Sequence, residues 1–359
     1  MSAALGMIDA EALAALAPLR WPAGLPEPEA LGFGLYLAPF VVVAAHDERQ
    51  GWAPIEVMTR ERAQLDLATA ALQYGLSVFE GLKAYRAVDG ALHLFRPREH
   101  IRRLRQSARR LCLPDIDEQA VLAMCRRAVD VHRDWVPPAG RGSLYLRPTL
   151  FAIEEGLGLR AARRHRLAIV ATPCSTPAFA SKRLWAEREL IRAAPGGLGA
   201  AKTAANYAAS LQGAQLARAR GYDDALWLDA RTHRELGEAG AANVFVVLDD
   251  RVLTPPLDGT ILAGITRDSV IALLREAGHR VQEVPIALDH LLLWRRQDRL
   301  REIFGVGTAA RLFAVGEVAW GEVSVRPAGG ELAAWTYARL AQVQEAAGGD
   351  HPGWRTPVD

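Results

Sequence analysis

The sequence predicts an α+β fold for both halves of a 359-residue chain. Alternating apolar runs separated by turn signals indicate two hairpins, at 82–96 with an Asp89-Gly90 turn and at 243–256. Helical patterns occur among these strands, but the strict alternation of strand and helix that a parallel sheet needs is missing. The chain is also long enough for two domains, each with its own core.

The first half is predicted to contain a sheet and two helices. Pro97 opens the first helix, in which apolar residues recur at spacings of three and four positions. The other face of this helix is rich in arginine; such a face is usually solvated, although one arginine near its edge could turn inward to a phosphate. The remaining elements expected here are strands within 31–60, a helix at about 118–134, and strands at 143–153 and 166–173.

A polar, proline-broken stretch at 174–183 is expected to be an interdomain linker. It divides the chain into a smaller N-terminal α+β domain at 1–173 and a larger C-terminal domain at 184–359. The elements expected in the larger domain are a helix at 206–220 that stops at Gly221, a strand at 225–229, and a helix at 266–279 with a Thr266 cap.

Charge and cysteine content exclude several classes of function. The 43 basic and 41 acidic residues leave a net charge of +2, which is too weak to suggest nucleic acid or an anionic membrane as a partner. Three cysteines are too few and too widely spaced for a disulfide framework or a metal site, and free thiols fit a reducing compartment.

The N-terminal segment and the apolar runs bear on localisation. Residues 1–20 lack the basic start of a secretion signal and are expected to form a short amphipathic helix or a frayed terminus. The longest apolar run, at 35–45, is about half of the roughly 20 residues that cross a bilayer. We therefore expect a soluble, cytoplasmic protein.

One lysine, Lys202, stands among small and uncharged residues in the stretch GGLGAAKTAANYAAS at 196–210. Glycines and alanines on both sides remove side-chain bulk, as a loop requires when its backbone approaches a ligand closely. They also leave the amine partly desolvated, which lowers its pKa and makes it a better nucleophile. Two chemistries fit: a Schiff base with a cofactor, or a clamp on the phosphates of a nucleotide.

The nucleotide alternative starts from GGLGAAKT at 196–203, which is one residue away from the phosphate-loop pattern. Ala201 stands where that pattern has its second glycine. The preceding residues, ERELIRAAP, are charged and end in Pro195, whereas a phosphate loop follows an apolar strand. The apolar run ending in Asp229 resembles a second half of such a site, but such runs are common in buried strands. These observations favour the Schiff base.

A Schiff-base lysine implies pyridoxal phosphate, which needs a carboxylate for its ring nitrogen and a cup for its phosphate. Glu238 lies among small residues before a buried strand, where pairing with a pyridinium proton would offset the cost of burying a carboxylate. The alternative is an exposed turn glutamate. Backbone amides for the phosphate are available where residues 264–266 enter a helix and in the glycine-containing turn before Thr308; each feature alone could be a plain cap or turn.

Taken together, these segments resemble the branched-chain amino acid aminotransferases of the type IV pyridoxal phosphate fold. The matching stretches follow the family's order and span nearly the whole chain. They are LGFG (31–34), YGLSVFEGLKAYR (74–86), SARRLCLP (107–114), SLYLRPT (143–149), GGLGAAKTAANYAAS, ALWLD, EAGAAN, TPPLDGTILAGITRDS (254–269) and FGVGTAA (304–310). The resemblance implies a two-domain enzyme with mixed sheets and flanking helices, its site between the domains and its cofactor bound by the larger domain.

The resemblance also implies a role for each matching residue. Lys202 corresponds to the catalytic Schiff-base lysine, Glu238 to the partner of the pyridine nitrogen, and Tyr207 to the donor to the ring oxygen. The residues implied for the phosphate are Arg103, Ile265, Thr266 and Thr308. Those implied for the substrate are Phe33, Tyr74, Tyr145 and Arg147 around its side chain, with the amides of Thr308 and Ala309 at its carboxylate. For Phe33, core packing is an equal alternative.

Two leucines, Leu157 and Leu159, match a loop that the family inserts into the neighbouring subunit's site. This match implies a homodimer. The predicted activity is transfer of an amino group between a branched-chain or similar hydrophobic L-amino acid and 2-oxoglutarate.

Four departures from the family pattern bear on substrate choice. The linker reads PCSTPAF and lacks the tyrosine that closes the family's pocket. Ala204-Ala205 replaces a glycine pair, Ala263 replaces a proline, and Arg311 stands where a small or apolar residue is usual. Another type IV enzyme therefore stays open, such as a D-amino acid aminotransferase, an aminodeoxychorismate lyase or a homologue with a changed substrate.

Overall fold

The computed structural model describes residues 21–345 and 351–358, so the expectation for residues 1–20 lies outside the described residues. The chain forms two compact units. Of the described residues, the first unit contains those up to Thr176, Ala201–Ala204 and those from Val343 onward, and the second contains Pro177–Ala200 and Ala205–Gln342. Each unit combines helices with a sheet, so the α+β fold is confirmed.

The division between the units differs from the expected domains in two segments. Residues 201–204, which include Lys202, and the last described residues both belong to the first unit. The segment without regular structure is also shorter than the expected linker, because one strand continues through Ser175 and the next begins at Ser181. Ser175 pairs with Gly142, whose lack of a side chain leaves room for the Cys174 carbonyl.

The first unit contains a nine-stranded antiparallel sheet and, in its described part, three α-helices. The strands are β1 (Phe40–Asp47), β2 (Gly51–Trp52), β3 (Glu56–Thr59), β4 (Ser77–Phe79), β5 (Leu82–Arg86), β6 (Leu92–Phe95), β7 (Gly142–Ala152), β8 (Arg164–Ser175) and β18 (Arg355–Pro357). The helices are α1 (Ala70–Gln73), α2 (Pro97–Arg110) and α3 (Glu118–Asp130), with 3₁₀ turns at Pro28–Ala30, Arg60–Arg62, Arg133–Trp135 and Pro352–Trp354.

This sheet has the order β18-β6-β5-β7-β8-β1-β2, with β3 beside β1 and β4 beside β7. Its core includes Leu104 of α2, Val121 of α3 and Leu144 of β7. The helical spacing predicted after Pro97 is confirmed, because α2 buries its apolar residues while Arg102 stays largely exposed.

The second unit is built on a closed ring of strands. The strands are β9 (Ser181–Glu187), β10 (Asp224–Leu228), β11 (Leu236–Ala239), β12 (Ala242–Leu248), β13 (Val252–Thr254), β14 (Val281–Glu283), β15 (Leu300–Gly307), β16 (Arg311–Trp320) and β17 (Val323–Val325). The helices are α4 (Ala204–Ala219), α5 (Ile265–Glu276), α6 (Leu288–Arg296) and α7 (Leu332–Gln344), of which α4 and α7 each extend by one or two terminal residues into the first unit.

The strand order is β11-β10-β9-β16-β15-β12-β13-β14, with β17 beside β16. Because β11 also pairs with β12, the six strands from β11 round to β12 close on themselves and leave no edge among them. The sheet is mixed, since β9 runs parallel to both β10 and β16. Within the described ranges, the chain contains no helix with the length and apolar character needed to span a bilayer.

Helix α4 carries Tyr207 and packs against β10 through a glycine. Its buried residues are Gly213 and Ala217, and Ala217 packs in a small cluster with Ala225 and Trp227. A Cβ placed on Gly213 would lie 2.3 Å from the Trp227 ring. The glycine is therefore required by the close approach of helix and strand.

Replacing Gly213 with alanine tests this contact. Alanine is the better helix former by about 1 kcal/mol. Its methyl group would collide with Trp227, however, so we expect a net loss of about 1–3 kcal/mol in the free energy of unfolding. The control is Gly353→Ala, where an added Cβ meets nothing within 4 Å. Urea unfolding followed by circular dichroism measures both variants, and equal stabilities would contradict the expected clash.

Candidate functional site

The backbone of Lys202 is bound to β4 and α2 in the first unit. Its carbonyl accepts a hydrogen bond from the Phe79 amide at 2.9 Å, and its own amide donates to Ser107 Oγ, also at 2.9 Å. The hydroxyl of the next residue, Thr203, donates to the Ser77 carbonyl at 2.8 Å. These bonds make the lysine segment a short addition to the first unit's sheet.

The glycines before Lys202 serve backbone packing. Gly199 approaches the backbone of Thr260 so closely that a Cβ would lie 2.3 Å from the Thr260 carbonyl oxygen. Gly196 adopts a left-handed conformation, with a φ of 77°. Strand β9 ends at Glu187, and residues 188–195 form no strand, so the strand–loop–helix order of a phosphate loop is not formed. This geometry gives the nucleotide alternative no support.

The Lys202 ammonium lies over an aromatic ring, with Nζ 4.9 Å from the centre of Phe79. Burial lowers the pKa of this amine, and the positive charge of Arg103 lowers it further. The negative charge of Glu80 opposes both effects, and the resulting pKa is about 8, compared with about 10.4 for an unperturbed lysine. Near pH 8, about half of the Lys202 amine is therefore in the neutral form, which is the nucleophile.

Arg103 is held by Glu80, a carboxylate that the sequence did not single out. Nε and Nη2 of Arg103 donate to the two carboxylate oxygens at 2.7 and 2.9 Å, and both side chains are buried. A further hydrogen bond, of 2.8 Å, joins His100 Nδ1 to the same carboxylate. Burial alone would raise the pKa of Glu80, but Arg103 and His100 hold it well below its usual range. Glu80 thus supplies a fixed negative charge that orients Arg103.

Three of the four residues expected around the substrate side chain lie together in the first unit. The Tyr145 hydroxyl accepts a hydrogen bond of 3.0 Å from Arg147 Nη2, and the Phe33 ring meets the Tyr145 ring edge-on at 4.9 Å. The Arg147 guanidinium lies 4.5 Å from the centre of the Phe79 ring. Since Phe79 also contacts Lys202, these residues and the amine form one cluster.

The fourth residue, Tyr74, is bound to the loop that carries Leu157 and Leu159. Its hydroxyl donates to the Leu157 carbonyl. The side chains of Tyr74, Leu157 and Leu159 are 45%, 66% and 82% exposed. Large apolar side chains exposed on one loop are typical of a contact with another protein.

Glu238 is a buried carboxylate of the second unit, with 4% of its surface exposed. It lies on β11 opposite Asn243 of β12, in the ladder that closes the ring of strands. Arg192 Nη2 lies 2.6 Å from Glu238 Oε2, and Asn243 Nδ2 donates to Oε1 at 3.2 Å. The carboxylate is therefore charge-balanced and hydrogen-bonded, as its burial requires. The alternative that placed it in an exposed turn is wrong.

Asn243 links this carboxylate to the N-terminus of α5. Its Nδ2 also donates to the Leu262 carbonyl at 3.0 Å, and a Cβ on Gly264 would lie 2.0 Å from its Oδ1. Gly264 must therefore lack a side chain. It is the N-terminal capping residue of α5, whose first two residues are Ile265 and Thr266, both buried.

The turn between β15 and β16 carries Thr308 and Ala309. Asn243 of β12 pairs with Val306 of β15, two residues before Thr308. The sheet register therefore brings this turn to the same end of the ring as Glu238. Thr308 is partly buried and Ala309 is exposed.

Tyr207 lies in the first turn of α4 and is partly buried. The start of this helix is fixed by Asn206, whose Nδ2 donates to the Leu198 carbonyl at 2.8 Å. The Tyr207 carbonyl accepts a hydrogen bond of 2.8 Å from Ser210 Oγ. The position of Tyr207 thus depends on the glycine-rich loop as well as on its own helix.

Sequence reasoning missed Glu80, Arg192 and Asn243. Glu80 had a signal, because it is the one charged residue in the otherwise apolar and small stretch LSVFEGL. Arg192 and Asn243 had none, since their significance comes from pairing with Glu238. In the described residues, no group of histidine, cysteine and acidic side chains could hold a metal ion.

Comparison with known proteins identifies the family to which this chain belongs. The model of the family described as amino-transferase class IV matches residues 77–318. Branched-chain-amino-acid transaminase 1 of Bacillus subtilis is 41% identical over 297 residues, which cover 82% of this chain and 83% of the relative. Branched-chain-amino-acid aminotransferase 2 of the same organism is 38% identical over 339 residues, or 93% of each chain. The chain belongs to the branched-chain aminotransferase family.

Solved structures of branched-chain aminotransferases share its fold. The Escherichia coli structure is 28% identical with a TM-score of 0.71, covering 89% of this chain and 99% of that one. The T.th. structure complexed with N-(5'-phosphopyridoxyl)-L-glutamate is 26% identical with a TM-score of 0.70, covering 89% and 98%. The type IV fold, the enzyme class and the cofactor, pyridoxal phosphate, are therefore confirmed.

The residues present fit pyridoxal phosphate. The first unit offers a lysine of lowered pKa and a buried, oriented arginine. The second unit offers a buried carboxylate, Glu238, and a helix start that is capped by Gly264, a residue without a side chain. An aldehyde requires an amine, a phosphate requires a cation and the amides of a helix start, and a pyridine nitrogen requires a carboxylate.

The buried pair of Glu80 and Arg103 can be tested by Glu80→Gln. Loss of the carboxylate charge leaves Arg103 buried without its counter-charge, so we expect a loss of about 3 kcal/mol in the free energy of unfolding. The control is Asp115→Asn, which breaks a bidentate pair with Arg105 of the same helix at 2.5 and 2.6 Å, but in solvent.

That exposed pair should contribute less than about 1 kcal/mol and weaken with salt. Urea unfolding at low and high salt measures both variants. Equal losses for the two variants would mean that Glu80 has no special role.

Proposed function

We propose that this protein transfers an amino group between a branched-chain or similarly hydrophobic L-amino acid and 2-oxoglutarate, with pyridoxal phosphate bound covalently through Lys202. The observation that carries the proposal is the cluster in which Lys202 and Arg147 both lie over the Phe79 ring; burial there and the charge of Arg103 lower the pKa of Lys202 to about 8. A lysine that is neutral at such a pH can both bond to an aldehyde and move a proton.

Each polar residue has a defined task in this reaction. Pyridoxal phosphate, when bound, supplies a ring that accepts electron density from the α-carbon of the substrate. Lys202 Nζ would serve as the base that takes the α-proton of the substrate and as the acid that returns it. Glu238 would hold a proton on the ring nitrogen, and Arg192 and Asn243 fix its carboxylate in place. Tyr207 would donate to the ring oxygen.

Each unit contains a feature suited to bind a phosphate: a preoriented cation in the first and a helix start in the second. Glu80 fixes the guanidinium of Arg103 through two hydrogen bonds along one edge, so little side-chain freedom remains to be lost when an anion binds. The N-terminus of α5 would attract an anion through the backbone amides of its first turn and through the helix dipole. Ile265 and Thr266 would supply donors at the start of α5. Thr308 would supply one from the turn between β15 and β16.

One pocket accommodates two different substrates. Phe33 and Tyr145 form an aromatic wall that suits a branched aliphatic side chain. Arg147, which contacts Tyr145, adds a positive charge that suits the second carboxylate of 2-oxoglutarate. This charge is our reason for naming a dicarboxylic acceptor. The amides of Thr308 and Ala309 bind the carboxylate that both substrates share.

We also infer that the active form is a homodimer. The exposed loop with Leu157 and Leu159, fixed by Tyr74, offers an apolar surface that a second copy would cover. A cytoplasmic location, expected from the composition and the cysteines, stays a prediction.

The function is tested by absorption spectroscopy of the protein loaded with pyridoxal phosphate. We expect L-leucine to bleach the visible band and 2-oxoglutarate to restore it, because the two half-reactions run in opposite directions. Lys202→Ala should abolish both changes. Lys182→Ala, at a lysine that lies over the Phe313 ring, should preserve them. A response to D-alanine with none to L-leucine would reject the proposed substrate and favour another type IV enzyme.

The lowered pKa of Lys202 also predicts a pH dependence of cofactor uptake. Only the neutral amine attacks an aldehyde, and its fraction rises about tenfold per pH unit until the pH reaches the pKa. We therefore expect the rate of pyridoxal phosphate uptake by the apoenzyme to rise with pH and to level off near pH 8. Stopped-flow absorbance measures this rate. A rise that continues to about pH 10, as for a solvated lysine, would show that Lys202 is not desolvated.

A further inference from the structure

Arg311, the departure from the family pattern after the GTAA turn, is buried in an unusual backbone conformation. It pairs with Gly307 across the β15–β16 turn, and only 3% of its surface is exposed. Its φ is 58°, in the left-handed region that residues with a Cβ rarely adopt. A residue is held in this conformation when surrounding contacts over-determine it. The side-chain contacts of Arg311 therefore bear on why this backbone conformation is kept.

Those contacts lead to Tyr337 on α7. The Arg311 guanidinium lies 5.2 Å from the centre of the Tyr337 ring, and its Nη1 lies 3.5 Å from the tyrosine hydroxyl. That hydroxyl donates to the Pro177 carbonyl. The Phe179 ring packs on the same tyrosine, with ring centres 5.6 Å apart. Arg311 and Tyr337 thus connect the Thr308–Ala309 turn to segment 177–179.

We propose that Arg311 is a positioning residue for substrate binding, acting through Tyr337 to hold segment 177–179 and the Thr308–Ala309 turn in one fixed arrangement. This inference rests on the proposed function, which assigns the amides of that turn to the substrate carboxylate. Arg311 itself does not bind substrate, because its side chain is buried against Tyr337. Its effect is on the direction of the two amides that follow Gly307.

The location of this cluster gives the proposal its functional meaning. Segment 177–179 belongs to the stretch PCSTPAF, which lacks the tyrosine found in the family's linker. Here an aromatic ring reaches the same stretch from α7, and a buried cation stacks on that ring. A stacked arginine is a stiff connector, since its planar guanidinium is preorganised. Arg311 and the stretch PCSTPAF, which both depart from the family pattern, are therefore parts of one connected cluster.

The test uses Arg311→Asn in the full-length holoenzyme, because asparagine tolerates the left-handed backbone and removes only the stacked side chain. We expect the KM for L-leucine to rise about tenfold, with kcat within about twofold, as a misplaced binding group predicts. The dissociation constant of 4-methylvalerate, an unreactive carboxylate, should rise by the same factor in a spectral titration. The visible band of the bound cofactor should be unchanged, and Arg311→Lys should restore part of the affinity.

Tyr337→Phe provides the second variant, since it keeps the ring beneath the guanidinium and removes the bond to Pro177. We expect a smaller rise in KM, of about threefold, and no further rise when it is combined with Arg311→Asn, because both act through one connection. The matched control is Tyr222→Phe, at the ring beneath Arg183, 4.8 Å from its guanidinium. This control should leave KM unchanged.

The outcomes separate the inference from the proposed function. Unchanged affinity for 4-methylvalerate in Arg311→Asn would overturn the inference. So would a loss of cofactor and of melting temperature that Arg311→Lys does not restore, since that pattern means a purely structural role. If the wild-type protein transfers no amino group from any donor, the proposed function fails, while the 4-methylvalerate titration still decides the role of Arg311.

Discussion

The chemistry of this protein depends on burying two cations, Lys202 and Arg103, near each other. Either charge alone would be costly to desolvate, and together they repel. Glu80 resolves the conflict by binding Arg103 on two nitrogens and by contributing a negative charge that acts on Lys202. Because burial and the charge of Arg103 outweigh that of Glu80, the pKa of Lys202 falls to about 8, and a partly neutral amine lies near a charged guanidinium. An aldehyde that carries a phosphate needs this combination.

Much of the fold could be predicted from the sequence, because local patterns of residues specify many of its helices and turns. The spacing of apolar residues after Pro97 and the Asp89-Gly90 turn each specify an element through neighbours only. The placement of residues 201–204 in the first unit could not be predicted. It depends on two hydrogen bonds with strand β4, which is distant in sequence: the Phe79 amide donates to the Lys202 carbonyl, and the Thr203 hydroxyl donates to the Ser77 carbonyl. Closure of the second sheet through β11 and β12 is likewise a matter of long-range pairing.

Some residues of the candidate site could likewise be recognised from the sequence, and others could not. Lys202 and Glu238 could be recognised because small neighbours make a charged residue conspicuous. Arg103 could not be distinguished from the other arginines of α2 by spacing, and only its resemblance to the family selected it. The structure gives the physical reason, since Arg103 is buried on Glu80 whereas Arg102 is 56% exposed. Arg192 acquires its meaning only from a partner that is remote in sequence.

The most direct measurement is to locate the covalent attachment of the cofactor. The chain has three lysines, Lys83, Lys182 and Lys202. Borohydride reduction of the holoenzyme, followed by trypsin digestion and mass spectrometry, fixes the cofactor to the lysine that holds it. The account predicts the modification in the peptide 193–218, which contains Lys202 alone among the three. Modification of Lys83 or Lys182, or of none of them, would contradict it.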